Sequence, residues 1–137
     1  MGRGRMEGVA REREELRRRV IEELRPLADS LAELWGAATV VLVGSYARGD
    51  FGAWSDIDLL VVVEEGDPNP LRRYDRALPA LVRAGLPVEL VILTKPEFVR
   101  GLKRGNPIVV EAVRAGVVLR DDLRLFRRQP RSEGGQP

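Results

Sequence analysis

The segment from Gly44 to Asp58 most restricts how this chain can fold, because it joins two apolar runs of strand character. The first run is Ala38-Thr39-Val40-Val41-Leu42-Val43, and the second is Leu59-Leu60-Val61-Val62-Val63. Both are short, rich in β-branched residues and typical of buried strands. The joining segment begins with Gly44-Ser45 and ends with Asp56-Ile57-Asp58. The chain is therefore expected to form a sheet in which a glycine turn follows one strand and paired carboxylates open the next.

The Gly44-Ser45 turn has the features of a phosphate-binding turn. Gly44 can adopt backbone angles that other residues avoid, and without a Cβ it lets a phosphate approach the main chain. Ser45 adds a hydroxyl donor and is expected to cap a short helical turn from Tyr46 to Arg48, whose free N–H groups attract an anion. Gly49 is expected to end this turn in a left-handed conformation. Most strands followed by Gly-Ser lead into ordinary turns, so the turn alone is weak evidence for phosphate binding.

Asp56 and Asp58 strengthen that evidence. Side chains alternate along a strand, so both carboxylates are expected on one face, about 7 Å apart along the chain. Two acids so placed repel each other unless cations lie between them, and oxygen ligands favour Mg²⁺ or Mn²⁺. Two such ions about 3.5–4 Å apart suit in-line displacement at phosphorus. In the alternative interpretation one Asp caps a turn and the other is solvated, but the nearby Gly-Ser turn favours the metal site.

Glu89 is a third candidate acid. It is the only ionisable residue of the run Leu86-Pro87-Val88-Glu89-Leu90-Val91-Ile92-Leu93, which is typical of a strand covered on both faces. A buried carboxylate without a partner is costly, so Glu89 is expected to pair either with metal and an acceptor hydroxyl or with a nearby arginine. Clustered acids at functional sites favour the metal.

Together these residues resemble the signature of the minimal nucleotidyltransferases of the DNA polymerase beta-like superfamily. The matching pattern is Gly44-Ser45, a gap that contains Ala47-Arg48-Gly49, and then Asp56-Ile57-Asp58. A leading helix, the acidic third strand and a closing segment extend the resemblance over roughly residues 12–122; the closing segment is Gly105-Asn106-Pro107-Ile108-Val109-Val110-Glu111-Ala112 with Gly116-Val117-Val118-Leu119. The resemblance implies an α/β (α+β) fold of the polymerase beta-like type, with a small mixed sheet of about four strands flanked by helices.

The resemblance also implies roles for the candidate residues. Gly44 and Ser45 would hold the β- and γ-phosphates of a nucleoside triphosphate. Asp56 and Asp58 would bind two Mg²⁺ ions, which Mn²⁺ can replace. Glu89 would bind one metal and the attacking hydroxyl, so these three acids are the predicted catalytic and metal-binding residues. The family commonly has Asp at the third position, and the extra methylene of Glu89 leaves its efficiency as a base open.

Four further side chains near the candidate site have two interpretations each. Arg48 and Lys95 are either phosphate partners or surface cations, and Arg48 is included in the predicted nucleotide-binding set. Tyr46 and Trp54 either stack on a base or pack under the loop, and packing is favoured.

Three functional hypotheses follow. The resemblance implies an enzyme that moves AMP from ATP to a hydroxyl and releases pyrophosphate, acting as an antitoxin that modifies a helical HEPN-family ribonuclease toxin. A non-catalytic antitoxin or nucleotide-binding module that acts by occlusion is the second hypothesis, which the intact acid triad disfavours. The third is transfer to another acceptor, such as an aminoglycoside or a nucleic-acid end, which is weakened because the sequence shows no second domain to form an acceptor pocket.

Composition excludes several other classes of enzyme. The 137 residues include no Cys and no His, which removes disulfides, cysteine nucleophiles, serine–histidine triads and ordinary zinc sites. Nucleotidyl transfer remains, because metal ions replace imidazole in activating the nucleophile. No run has the length of a membrane span, and the N-terminus has no signal-peptide apolar core, so a cytoplasmic protein is expected. The net charge of +2 lies mainly at the chain ends, so direct nucleic-acid binding is not expected.

The predicted organisation is one nucleotidyltransferase domain at residues 12–122, with an N-terminal extension at 1–11, partly helical or frayed, and a largely disordered C-terminal tail at 123–137. Leu16, Val20 and four later leucines recur at helical spacing, which predicts an amphipathic helix from about Glu7 to Leu34, bent near Pro26. Cap signals predict three later helices: Asn69-Pro70 to Ala84, one after Thr94, and Asn106-Pro107 to Ala115. A homo- or hetero-oligomer is compatible with these features.

Overall fold

The computed structural model describes the backbone of residues 2–126 and the side chains of residues 7–126. Five helices and four strands follow one another in these residues. In chain order they are α1 (Gly2–Trp35), β1 (Thr39–Val43), α2 (Gly44–Arg48), β2 (Ile57–Val63), α3 (Pro70–Ala84), β3 (Val88–Thr94), α4 (Lys95–Arg104), α5 (Pro107–Ala115) and β4 (Val117–Asp121).

The strands form one mixed sheet in the order β3-β2-β1-β4. β1 pairs antiparallel with β2 and with β4, whereas β2 and β3 are parallel. A parallel pair needs a crossover connection, and α3 provides it between β2 and β3. The expected small mixed sheet of about four strands flanked by helices is confirmed.

Each face of the sheet has its own apolar cluster. α1 and α3 cover one face, where Leu24 and Leu31 of α1 pack on Val40 and Leu59 with no exposed surface on either leucine. Burying a leucine fully contributes about 1.5–3 kcal/mol. α4 and α5 cover part of the other face in a smaller cluster made by Val41, Val43, Leu60, Val62, Phe98, Val109 and Ala112. Side chains of alternating residues therefore point to differently covered faces.

The long first helix follows the predicted pattern with one exception. Val20 and Leu24 are buried as expected, but Leu16 is 42% exposed, so the buried stripe begins one turn later than its sequence spacing predicts. Pro26 lies inside the helix, and α1 continues without interruption through residue 12, where the domain boundary is predicted. That boundary stays a prediction.

Local cap signals set the later helices. The Asn69 side chain accepts the N–H of Leu71 and Pro70 begins α3, while Gly85 ends it in a left-handed conformation. Thr94 and Glu97 form the predicted capping box at the start of α4. Asn106 likewise accepts the N–H of Ile108 at the start of α5. These three predicted helix starts are confirmed. Sequence could predict them because each cap depends only on residues within one helical turn.

The position of β3 corrects one prediction. Its apolar run predicts coverage on both faces, but the strand lies at the sheet edge, where Glu89 is exposed and Val91 is 39% exposed. Glu89 is therefore not a buried carboxylate in need of a partner. Asp58 is the second residue of β2, which begins at Ile57, two residues before the apolar run.

The last described residues pack on the body of the domain. Asp121 accepts the N–H groups of Leu125 and Phe126 at 2.9 and 2.8 Å, and the Phe126 ring meets Phe98 edge to face at 5.9 Å. The predicted disorder of the tail concerns mainly residues 127–137, which lie outside the described residues. No helix between residues 2 and 126 combines the length and the apolarity that crossing a membrane requires.

Candidate active site

Gly44 occupies a place that requires glycine for two reasons. Its φ is +78°, in the left-handed region. A Cβ built on it would lie 2.5 Å from Oδ2 of Asp58, closer than real Cβ contacts come. The turn therefore places backbone and carboxylate in direct contact.

The helical turn after Gly44 forms largely as predicted. α2 runs from Gly44 to Arg48, and Gly49 ends it with φ of +89° while donating its N–H to the Ser45 carbonyl at 2.8 Å. The predicted cap by Ser45 is wrong, because Val43 is the cap residue and no side chain caps the helix. Among the side chains of residues 7–126, none bonds the Ser45 hydroxyl, which leaves this donor for a ligand.

Arg17 anchors this turn to α1. Its Nε donates to the Tyr46 carbonyl at 2.7 Å, and its Nη2 donates to the Ala47 carbonyl at 2.8 Å. A cation at the C-terminal carbonyls of a helix also interacts favourably with the helix dipole. Arg17 is not among the predicted site residues, because nothing in the sequence distinguishes it from the neighbouring arginines at 18 and 19.

Two of the predicted acids are brought together by strand register. Asp58 of β2 is the Cα partner of Glu89 of β3, and on its other side it opposes Val43 of β1. Neighbouring strands lie about 4.8 Å apart, and paired residues share a face, so both carboxylates project on the α4/α5 side of the sheet. Asp56 precedes β2 by one residue and is exposed. The three acids thus gather at the end of the sheet where Gly44 lies.

Glu111 of α5 is a further acid at the site that is not among the predicted site residues. Its Oε2 accepts the N–H of Gly44 at 2.8 Å and Nη1 of Arg48 at 2.7 Å. The available signal was its place within the closing segment of the family resemblance, one residue before the buried Ala112. Sequence spacing alone does not bring a residue 67 positions away onto Gly44.

Burial and the neighbouring charges both shift the pKa of Asp58. Its pKa is raised above the ordinary value by burial first, and then by the negative charges of Asp56, Glu89 and Glu111, while Arg48 lowers it. Mutual repulsion raises the pKa of an acid among acids. Negative charge therefore outweighs the positive charge of Arg48 around Asp58, and a bound cation would offset the difference.

The donor chemistry of Asp56, Asp58 and Glu89 suits a hard divalent cation, since all three offer carboxylate oxygens. The three acids lie at the same end of the sheet, but they do not form a complete coordination sphere. Residues 7–126 contain no group of three or more acidic side chains that is already arranged to hold an ion. Nucleotide phosphates commonly complete the ligand shell of Mg²⁺, so an incomplete protein cage is compatible with that metal.

Arg48 is placed at the site but already has two acidic partners. Besides Glu111, its Nε donates to Asp50 at 3.1 Å, and the arginine side chain is 46% exposed. Lys95 is not at the site, because it follows the last residue of β3, six positions beyond Glu89 and thus about 20 Å along the strand direction. Its interpretation as a phosphate partner is wrong.

The two aromatic residues behave differently. Tyr46 stacks on Phe51 with ring centroids 4.1 Å apart, which confirms packing. Trp54 is 96% exposed, so the prediction that it packs under the loop is wrong. Its indole lies two residues before Asp56 and is accessible to a ligand or partner.

Comparison with known proteins agrees with this geometry. Residues 24–118 match the family model of the nucleotidyltransferase domain. Over 71 residues the chain is 45% identical to the bifunctional uridylyltransferase/uridylyl-removing enzyme of Bordetella pertussis, a match that covers 51% of this chain but only 8% of that enzyme. A solved structure from Sulfolobus solfataricus, described provisionally as a nucleotidyltransferase, superposes with a TM-score of 0.57 over 77% of this chain and 84% of that one, at 21% identity.

The solved structure supports the fold alone at that identity, whereas the family model covers well over half of the chain and includes the Gly44 turn with Asp56, Asp58 and Glu89. The resemblance to the minimal nucleotidyltransferases of the polymerase beta-like superfamily is thereby confirmed. The chain belongs to the nucleotidyltransferase domain family.

Proposed function

We propose that this chain is a metal-dependent nucleotidyltransferase that moves AMP from ATP to a hydroxyl group with release of pyrophosphate. The observation that carries the proposal is the contact between Asp58 and Gly44, with Glu89 in register on the next strand. Phosphate-binding backbone and metal-binding oxygens are thereby adjacent, as nucleotidyl transfer requires.

Each site residue has a defined task in the proposed reaction. Gly44 admits the phosphates close to the backbone, and the Ser45 hydroxyl donates a hydrogen bond to one of them. Glu89 accepts the proton of the attacking hydroxyl, whose oxygen forms a bond to the α-phosphorus. The bond between the α-phosphorus and the bridging oxygen breaks, and pyrophosphate leaves with that electron pair.

Asp56, Asp58 and Glu89 would hold two Mg²⁺ ions, or Mn²⁺ in their place. Enzymes with this domain generally use divalent metals. Bound ions would neutralise phosphate charge and lower the pKa of the nucleophile. The charge balance of the site supports this requirement. Among the described residues, Asp56, Glu89 and Glu111 raise the pKa of Asp58 while Arg48 lowers it, and a triphosphate would add further negative charge.

UTP is a second candidate donor. The Bordetella relative is a uridylyltransferase by name, and the 45% identity favours comparing both nucleotides. The chain spans 8% of that enzyme's length, so the relative's acceptor does not transfer to this chain.

The proposed acceptor is a helical HEPN-family toxin, with this chain as the antitoxin that silences it by adenylylation. The family resemblance motivates this proposal, and the exposure of Glu89 and Trp54 supports it, because a protein acceptor needs an open site. Occlusion without turnover is the competing account.

The test is transfer of radiolabel from α-³²P-ATP or α-³²P-UTP to a co-expressed HEPN-family partner, with Mg²⁺ or with chelator. Labelling of the partner only with metal is expected from the wild type, and none from Asp58→Asn. Glu89→Gln should lower the rate by at least about 10²-fold, the lower scale for losing a positioned base. If folded Glu89→Gln labelled the partner at the wild-type rate, Glu89 would not be the base. If it lost transfer yet still rescued cells from the toxin, occlusion would replace catalysis as the antitoxin mechanism.

A further inference from the structure

Glu111 occupies the donors that a phosphate would need at this site. One oxygen, Oε2, accepts both the Gly44 N–H at 2.8 Å and Arg48 Nη1 at 2.7 Å. A backbone N–H at a glycine turn and an arginine guanidinium are the two groups that most often bind phosphate oxygens. The Glu111 carboxylate therefore accepts hydrogen bonds from the same donors that an anionic ligand would use.

We infer that Glu111 is an internal competitor of the triphosphate: its carboxylate holds the Gly44 turn in the nucleotide-free protein and must leave before the phosphates bind. The inference rests on the proposed nucleotide site and assigns a control of affinity to a residue of α5.

The surroundings of Glu111 make this exchange feasible. Its side chain is 32% exposed, so the carboxylate can turn towards solvent without uncovering an unpaired buried charge. Glu111 also lies at the end of the sheet where Asp56, Asp58 and Glu89 gather, because its carboxylate accepts the N–H of Gly44. A triphosphate entering beside Glu111 would meet its negative charge, whereas release of Glu111 frees two donors for the incoming anion.

α5 holds this acid in place through its apolar face. Val109 and Ala112 are buried against the sheet, which brings Glu111 to the mouth of the site on a rigid element. The carboxylate is thus presented at a fixed distance from Gly44. A shorter acid at this position keeps the charge but withdraws it by one methylene.

The test compares Mg²⁺-ATP affinity by isothermal titration calorimetry in the wild type, Glu111→Gln and Glu111→Asp. Both variants should bind ATP about 2–10-fold more tightly, a modest gain because the displaced ion pair is partly exposed. Glu111→Asp distinguishes two effects of Glu111: its hydrogen bonds to the Gly44 N–H and Arg48, and the repulsion between its charge and the triphosphate. The shorter side chain keeps the charge but is expected not to reach both donors. Asp50→Asn is the matched control, because Asp50 contacts Arg48 but not Gly44, and its effect should be smaller than that of Glu111→Gln.

A second readout follows the contact itself. In a ¹⁵N-glycine-labelled protein, the amide resonance of Gly44 should shift in Glu111→Gln without ligand, and wild-type protein should show a comparable displacement when Mg²⁺-ATP is added. If both variants bound ATP as tightly as the wild type or more weakly, the inference would be overturned, because Glu111 would then only support the turn. The proposed function would still hold in that case, provided that the wild-type protein bound Mg²⁺-ATP. If neither wild type nor Glu111→Gln bound Mg²⁺-ATP or Mg²⁺-UTP, the proposed function would fail and the inference with it.

Discussion

Gly44 has a positive φ, and the Asp58 carboxylate lies against the position that a Cβ on Gly44 would occupy. Gly44→Ala should therefore cost more than the ordinary penalty of about 1–2 kcal/mol for a left-handed alanine. The Asp58 carboxylate must also move away, which disturbs the predicted metal ligand. We expect a loss of about 2–4 kcal/mol in the free energy of unfolding, measured with urea, and Mg²⁺-ATP binding reduced at least about tenfold.

Gly36 provides the matched control for that substitution. Its φ is +82°, but no atom lies within 4 Å of the Cβ that alanine would add. Gly36→Ala should show the backbone penalty alone and leave nucleotide affinity unchanged. If Gly44→Ala and Gly36→Ala lost equal stability and bound ATP equally well, the contact with Asp58 would have no energetic weight.

Single residues of the site differ in how well sequence reveals them. The positions of Gly44, Asp56 and Asp58 at one end of the sheet were predictable, because strand alternation and turn chemistry are local rules, while their roles stay predictions. Arg17 and Glu111 were not, because each bonds the turn across a long chain separation, 29 residues for the Arg17 bond to Tyr46 and 67 for the Glu111 bond to Gly44. Only the packing of α1 and α5 on the sheet decides which arginine and which glutamate reach the turn.

Among the secondary-structure elements, α3, β3 and α4 meet at Arg73, which is 2% exposed. Its guanidinium donates to the carbonyls of Asp67 at 2.6 Å and Ile92 at 2.9 Å, and to both Glu97 oxygens at 2.8 and 3.1 Å. The Ile92 carbonyl belongs to the outer edge of β3, so this arginine satisfies an edge group that no strand pairs. Arg73 therefore joins three elements near the end of the sheet opposite to the one where Gly44 lies.

Arg73→Met should destabilise the protein by about 2–4 kcal/mol, because it removes the buried guanidinium that pairs with the partly exposed Glu97 and leaves the Ile92 carbonyl unsatisfied. Urea unfolding measures the loss. Arg72→Met is the control, since Arg72 is the exposed neighbour on the same helix, and it should change stability by less than about 0.5 kcal/mol. Similar losses in both variants would show that the observed bonds contribute little.

The same pair predicts a pH dependence. The hydrogen bond from Arg73 lowers the pKa of Glu97 from 4.5 to about 2. An acid whose folded pKa is depressed contributes its full stability above the unfolded pKa and loses it as pH falls through the folded value. The stability difference between wild type and Glu97→Gln should therefore be constant above about pH 5 and shrink between pH 4.5 and pH 2. A difference that did not change over this range would argue against an ionised Glu97 in the pair.

Helices were more predictable than the environment of the strands. Caps such as Asn69 and the Thr94–Glu97 box act within one turn, so sequence patterns place them well. Coverage of β3 depends on strand order, and an apolar run alone does not show that a strand lies at the edge of the sheet. The exposure of Glu89 follows from that order.

On the scale of the whole molecule, stability and function conflict at the acidic end of the sheet. The chain carries a net charge of +2, yet Asp58 lies among acids and its pKa is raised, by burial first. An acid with a raised folded pKa destabilises the fold when ionised, and this penalty disappears as pH falls through that pKa. Functional sites commonly retain such strain for ligand binding.

Asp58→Asn should separate the two effects. With chelator present at pH 7, the variant should have a higher melting temperature than the wild type, and the difference should shrink as pH falls through the raised Asp58 pKa towards 3.8. Mg²⁺-ATP at about 100 times its dissociation constant should stabilise the wild type by about 2.7 kcal/mol, or about 10 °C, because ligand binds only the folded state. The variant should gain almost nothing from Mg²⁺-ATP.

Thermal unfolding monitored by circular dichroism measures both effects in one series, with Asp75→Asn on α3 as the control acid. Asp75 is exposed and lies on a helix that covers the opposite face of the sheet, so its removal should alter neither the melting temperature nor the response to Mg²⁺-ATP. A lower melting temperature for metal-free Asp58→Asn would mean that hydrogen bonding by the Asp58 carboxylate outweighs its repulsion. An undiminished response of Asp58→Asn to Mg²⁺-ATP would instead remove Asp58 from the metal site. The metal-free melting temperature thus shows whether the ionised Asp58 destabilises the fold. The response to Mg²⁺-ATP shows separately whether Asp58 takes part in cation binding.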